Sequence, residues 1–230
     1  MTVPKTERIT IKIGGHIFPV NPDPKIISEF SAIFKKIASG GTQLIVVTGG
    51  GENARNYIKA ARTLGADEAT CDQIGIEICR IHAQLFISNL DETACPDVPK
   101  TIHDVKNLLH YGKTIVMGGL TPGHSTTAVG ALVAEATRSK FFIIASNVDG
   151  IYTADPKVDP KAEKLDEITT KELITMALSG KYAAGTYELD PVAVKAIERS
   201  RIPTVFIDGR RPENILKAIQ GQKVGTRIIP

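Results

Sequence analysis

Apolar and polar positions follow two rhythms along this chain, and each change of rhythm marks an element. Ile9-Thr10-Ile11-Lys12-Ile13 alternates with period two and stops at Gly14-Gly15, which predicts a strand entering a tight turn. On such a strand Lys12 reads first as a solvated side chain of a half-exposed face. Past Pro22 and Pro24, residues Ile26, Ile27, Phe30, Ile33, Phe34 and Ile37 recur at helical spacing until Gly40-Gly41. Leu44 to Val47, Thr114 to Met117 and Phe141 to Ala145 are short continuous apolar runs, the pattern of parallel strands covered on both faces. Thr204 to Ile207 and Val224 to Ile229 complete the predicted strands. Helices are predicted over about 52–64, 72–88, 103–111, 169–179 and 191–200. Two more are expected, one carrying Ala128, Val129, Leu132, Val133 and Ala136 and one starting near Pro212. Residues 91–101 and the polar stretch from about 150 to 167 read as loops.

Strands alternating with helices make this an α/β protein with a mainly parallel sheet. At 230 residues, with no internal repeat or linker, the pattern fits one fold with two lobes. A net charge of +3 without a Lys/Arg run gives no footprint for nucleic acid. No apolar run approaches the roughly 20 residues of a membrane span. Cys71, Cys79 and Cys95 lack metal-ligand spacing and are expected as buried thiols. Their odd number and the lack of a signal peptide predict a cytoplasmic location.

The candidate chemistry lies where strands end. Two glycine-rich turns, Thr48-Gly49-Gly50-Gly51 and Met117-Gly118-Gly119-Leu120-Thr121-Pro122-Gly123-His124-Ser125-Thr126, each lead from an apolar strand into a helix. Such a turn offers unpaired backbone N–H groups and the positive end of a helix dipole, which together favour phosphate. Two cradles in one small domain suggest that two phosphorylated ligands meet there for phosphoryl transfer. Lys12, just before Gly14-Gly15, can neutralise phosphate charge, and Arg55 lies one helical turn past Gly51. Ser125 and Thr126 can cap the next helix while offering hydroxyls. A third group, Ser146-Asn147-Val148-Asp149-Gly150-Ile151-Tyr152-Thr153-Ala154-Asp155-Pro156, follows a buried strand and suits an adenine-ribose or Mg²⁺. His82, His103 and His110 read as ordinary helix residues; His16 and His124 border glycine turns. Gly49 to Ala54 also fits G-x-G-x-x-A, but the acidic residue expected at the end of a second strand is replaced by a helical segment. The P-loop pattern is absent.

Taken together, these segments resemble the amino acid kinase superfamily and, within it, the archaeal-type uridylate kinases. The carrying motifs are Lys-Ile-Gly-Gly at 12–15, Val-Thr-Gly-Gly-Gly-x-x-Ala-Arg at 47–55, Gly-Gly-x-x-Pro-Gly-x-Ser-Thr at 118–126 and Asn-Val-Asp-Gly-x-Tyr-x-x-Asp-Pro at 147–156. Ala-Gly-Thr-Tyr-Glu-Leu at 184–189 and Asp-Pro-x-Ala-x-Lys at 190–195 add to them. The resemblance implies a three-layer αβα sandwich, a homohexamer built as a trimer of dimers, and transfer from Mg²⁺-bound ATP to UMP in pyrimidine nucleotide synthesis. The N-terminal lobe, about 1–140, would bind the acceptor; the C-terminal lobe, about 141–230, would bind ATP. Lys12 would stabilise the transferring group, with Arg55 beside it, and Gly14 and Gly15 would line the phosphates. Gly50, Asp72, Gly119, Leu120, Thr121, Pro122, Gly123, His124, Ser125 and Thr126 would hold UMP. Gly51, Arg55, Ser146, Asn147, Tyr152 and Asp155 would face ATP. No protein side chains are expected to form a dedicated metal site.

Three positions depart from the family pattern: His16 where serine or lysine is usual, Thr127 where several relatives carry aspartate, and Ser146 in place of threonine. The competing expectations are another phosphotransferase of the superfamily, such as an isopentenyl phosphate kinase, and a non-catalytic storage or regulatory relative. Against the former, Glu52-Asn53-Ala54-Arg55 follows the first turn where a Gly-x-Phe-Gly-His run would supply the acceptor histidine. Retention of Lys12, Arg55 and Asp155 argues against the latter.

Overall fold

The computed structural model describes residues 7–178 and 189–230. The Ala-Gly-Thr-Tyr-Glu-Leu motif therefore falls, apart from Leu189, outside the described residues. Seven strands form one sheet: β1 (Arg8–Ile13), β2 (Gln43–Thr48), β3 (Ile115–Met117), β4 (Phe141–Ser146), β5 (Glu167–Thr169), β6 (Thr204–Asp208) and β7 (Thr226–Ile229). Their order is β3-β2-β1-β4-β6-β7-β5, and every pairing is parallel except β6 with β7. The chain builds outward from β1 to β3, then returns to lay β4 on the other side of β1. Open α/β sheets bind ligands at such a reversal, beyond the carboxyl ends of the strands.

The helices are α1 (Pro24–Ser39), α2 (Gly51–Thr63), α3 (Glu68–Leu90), α4 (Ile102–Leu108), α5 (Thr126–Thr137), α6 (Thr170–Leu178), α7 (Pro191–Ser200) and α8 (Glu213–Ile219). Side-chain alternation along the strands sorts them into two layers. Ile9, Ile11 and Ile13 of β1, with Leu44 and Val46 of β2, pack against Phe30 and Phe34 of α1, Phe86 of α3 and Ile215 of α8. The opposite face buries Ile45, Val47 and Met117 under Val129 and Val133 of α5, and Ile144 and Phe206 under Val194 and Ile197 of α7. The expected three-layer αβα sandwich is thus present.

Three details differ from the sequence reading. The alternation in β1 does not mark a solvated face: Thr10 and Lys12 are both buried, because α5 covers that side of the sheet. Thr10 meets its polar need inside, its hydroxyl 2.8 Å from that of Ser139, which in turn lies 3.0 Å from Thr137. Strand β5 falls where the pattern predicts the end of a loop and the start of a helix; it is three residues long, only Ile168 is buried, and pairing with β7 at the sheet edge is what makes it a strand. Finally, α3 begins at Glu68 rather than near Asp72, because the Asp67 carboxylate caps it by accepting from Thr70 N at 2.8 Å.

Candidate active site

The carboxyl ends of β1, β2 and β4 open into one cleft of about 370 Å³. Lys12, Gly15, His16, Gly49, Gly50, Gly51, Arg55, Thr126, Ser146, Asn147 and Val148 line it. Two of the glycine turns meet there backbone to backbone. A Cβ on Gly15 would sit 2.3 Å from the nitrogen of Gly51, and one on Gly49 would sit 2.7 Å from the nitrogen of Gly15. Gly51 also holds φ at +62°, where a side chain is strained. Only glycine permits this approach. Hydrogen bonds fix it: Gly14 N–H donates to Ala145 O (2.7 Å), Gly49 N–H to Ile13 O (3.0 Å) and Glu52 N–H to Phe18 O (3.3 Å).

Lys12 projects from β1 into the layer under α5. Gly130 of α5 makes room there, since a Cβ at that position would lie 2.8 Å from the Phe142 ring and 3.4 Å from the Lys12 Cβ. The base of the Lys12 stem is thereby walled in, and the residue is among those that line the cleft. Arg55 stands one turn into α2 on the exposed rim. A lysine, an arginine and the N-terminus of α2 converge on the same volume, an arrangement suited to anionic oxygens.

On the β4 side, Ser146, Asn147 and Val148 belong to the lining, whereas Tyr152 and Asp155 lie beyond it. Tyr152 donates its hydroxyl to Asp149 (2.9 Å), which also pairs with Lys164 (3.3 Å). Burial opposes the charge on Asp149, but these two partners outweigh it and hold its carboxyl below the usual range. Asp155 shapes its own turn, accepting from Lys157 N at 2.9 Å. At the end of β6 a forked Arg210 donates to Asp208 at 2.8 and 2.9 Å and lowers that carboxyl's pKa.

Of the segment Gly118 to Thr126, Thr126, the first residue of α5, is the one among the cleft-lining residues. Thr121 to Ser125 are exposed. Asp72 accepts from Gly123 N at 2.7 Å, so this acid fastens the loop to α3. Ser125 caps α5, accepting from Ala128 N at 3.0 Å, and donates its hydroxyl to Asp190. Asp190 in turn caps α7 through Val192 N and Ala193 N. No role for Asp190 follows from the Asp-Pro-x-Ala-x-Lys spacing; it ties the loop to the start of α7.

Sequence reasoning also underrated His82. It lies within helix α3 as expected, but it is buried, and its Nδ1 lies 2.8 Å from Gly49 O. Burial lowers its pKa. The three thiols are buried and free as expected, and desolvation pushes Cys79, under Gly50, up to about 11. No carboxylate is among the cleft-lining residues, and the described residues contain no His/Cys/Asp/Glu group with metal-binding geometry. The donor set of the cleft therefore fits phosphate oxygens better than a bare divalent ion. None of the described helices is long and apolar enough to cross a membrane.

A model of the amino acid kinase family matches residues 7–208. The chain belongs to that family. Among its relatives, the uridylate kinase of Methanococcoides burtonii is 43% identical, the match covering 96% of this chain and 99% of the relative. The uridylate kinase of Methanothermobacter thermautotrophicus is 42% identical, with 97% and 99% covered. The crystal structure of the uridylate kinase from Archaeoglobus fulgidus superposes with a TM-score of 0.86 at 41% identity, covering 96% of this chain and 99% of that one. The UMP kinase from Ureaplasma parvum shares the fold at 20% identity and a TM-score of 0.78. The resemblance to archaeal-type uridylate kinases read from the motifs of this amino acid kinase family member is therefore borne out over nearly the whole chain.

Proposed function

We propose that the protein is a uridylate kinase, transferring the γ-phosphoryl group of ATP to UMP to give UDP and ADP. The observation that carries the chemistry is the single cleft where Lys12, Gly15, Gly50, Gly51 and Arg55 converge. The acceptor follows from the relatives, near 40% identical over almost their full length. In the reaction an oxygen of the UMP phosphate attacks the γ-phosphorus while the bond to the β,γ-bridging oxygen breaks, and ADP leaves with that electron pair. Such a step needs positioning and charge neutralisation more than a protein nucleophile.

Lys12 would neutralise charge growing on the transferring group, and the Gly14-Gly15 turn would follow the phosphates. Gly50, Asp72 and the loop Gly119 to Thr126 would take UMP, placing the acceptor on the lobe of residues 1–140. Ser146, Asn147, Tyr152 and Asp155 would take ATP on the lobe of 141–230, with Gly51 and Arg55 reaching its phosphates from the other lobe. Mg²⁺ would arrive on the ATP phosphates, as is usual for an ion that keeps much of its water. In this reading it neutralises phosphate charge, and the chain's part is to hold the nucleotide that carries it. Pyrimidine nucleotide synthesis in the cytoplasm fits the substrate. A homohexamer is the assembly that the resemblance implies, and Ile81 and Leu85, exposed one turn apart on α3, offer a candidate contact between chains.

A coupled assay of ADP release with UMP, CMP, AMP and isopentenyl phosphate as acceptors tests the reading. UMP should be used at least tenfold more efficiently than the others. Equal kcat/KM for AMP, or preference for isopentenyl phosphate, would overturn it.

A further inference from the structure

Helix α3 sits behind the glycine turns, and one of its side chains touches both. His82 is almost fully buried, with 2% of its surface exposed. Its Nδ1 is 2.8 Å from the carbonyl oxygen of Gly49. A carbonyl oxygen can only accept, so Nδ1 carries the proton. The same ring lies flat on Phe18, with centroids 3.9 Å apart and planes 4° from parallel. Phe18 closes the Gly14-Gly15 turn: its N–H donates to Gly15 O at 3.0 Å, and its carbonyl accepts Glu52 N–H from the first turn of α2. His82 thus joins the turn after β1 by stacking and the turn after β2 by a hydrogen bond.

The peptide between Gly49 and Gly50 is trans, since the described residues contain no cis peptide. In a planar trans peptide the C=O and the following N–H point in opposite directions. Fixing Gly49 O on His82 therefore directs the Gly50 N–H away from α3, and Gly50 lines the cleft. A glycine run has little intrinsic preference for one peptide orientation, so something outside the turn must choose. We propose that His82 is a positioning residue for phosphoryl transfer, orienting the Gly49–Gly50 peptide so that its N–H faces the phosphates in the cleft. The inference rests on the kinase reading above for the identity of those phosphates. Misdirected donors weaken stabilisation of charge that develops during transfer more than they weaken ground-state binding.

Two variants separate the hydrogen bond from the packing. His82→Phe keeps an aromatic ring against Phe18 and removes the donor. His82→Asn loses most of the ring but keeps an N–H donor near the Nδ1 position. Steady-state kinetics with ATP and UMP would be read beside the melting temperature and the amide ¹H–¹⁵N signals of Gly50 and Gly51. His82→Phe should lower kcat at least tenfold, change KM for UMP less than threefold and move the Gly50 signal. His82→Asn should recover kcat to within about threefold of the unsubstituted protein, despite melting at a lower temperature than His82→Phe. Unchanged kcat in His82→Phe, or activity that tracks melting temperature across the pair, would overturn the proposal. Should the unsubstituted protein fail to phosphorylate UMP, the acceptor assignment falls. The Gly50 signal would then still decide the matter, because an unmoved resonance in His82→Phe removes His82 from the control of that turn.

Discussion

A lysine in an interior strand of a sheet covered on both faces is costly to desolvate, and Lys12 is 4% exposed. Its position, one residue before the end of β1, puts Lys12 among the cleft-lining residues while Gly130 admits the base of its stem beneath α5. Lys12→Met retains most of the stem and removes the charge. The expected result is a loss of kcat of at least tenfold, equivalent to about 1.4 kcal/mol of barrier. The melting temperature should change little, because the apolar stem stays in place beneath α5. Kinetics and a thermal melt on the same preparation check both halves. Loss of activity with collapse of the fold would assign Lys12 a structural part instead. At this scale the motif around Lys12 was legible, but its burial was not: the alternation Ile9 to Ile13 looks identical whether water or another helix covers the polar side.

Between elements, the device that matters is a tether from loop to helix. The Thr121 to Ser125 segment is exposed and held at two points, by Asp72 on Gly123 N and by Asp190 on the Ser125 hydroxyl. Asp190 also caps α7, so the loop before α5 and the start of α7 are joined through one carboxylate. Asp190→Asn keeps a capping oxygen, which asparagine supplies nearly as well as aspartate, and weakens the charge-assisted bond to Ser125. KM for UMP should rise threefold or more, with KM for ATP changed less than twofold. The opposite pattern, a selective rise for ATP, would show that this loop does not serve the acceptor. The sequence announced the loop through its glycines and proline and the helix through its Asp-Pro start. Their connection, 65 residues apart, left no local pattern to read.

For the molecule as a whole, the sheet order decides where chemistry can occur. Three strand ends that are far apart along the chain become neighbours because the chain returns past β1 to add β4. The outward face of α3 belongs to this scale too. Ile81 is 57% and Leu85 37% exposed, an apolar pair that a single chain leaves in water. If the proposed homohexamer assembles through it, Ile81→Asp with Leu85→Asp should lower the mass measured by sedimentation from that of six 24.7 kDa chains to that of three or fewer. The doubly substituted protein should retain its helical circular dichroism. An unaltered mass would place the contact elsewhere on the surface.

Local patterning alone determined the α/β class, nearly every strand and helix, and the glycine turns with Lys12 and Arg55 as candidate phosphate ligands. Periodicity and turn chemistry are properties of neighbouring residues, and a few residues suffice to express them. Tertiary structure decided what depends on contacts distant in sequence: the burial of Thr10 and Lys12, the edge pairing that makes Glu167–Thr169 a strand, and the inward place of His82 against Gly49. A histidine at a helical position carries the same local signal whether it meets solvent or a backbone carbonyl. Only the packing of α3 behind the turns makes the difference.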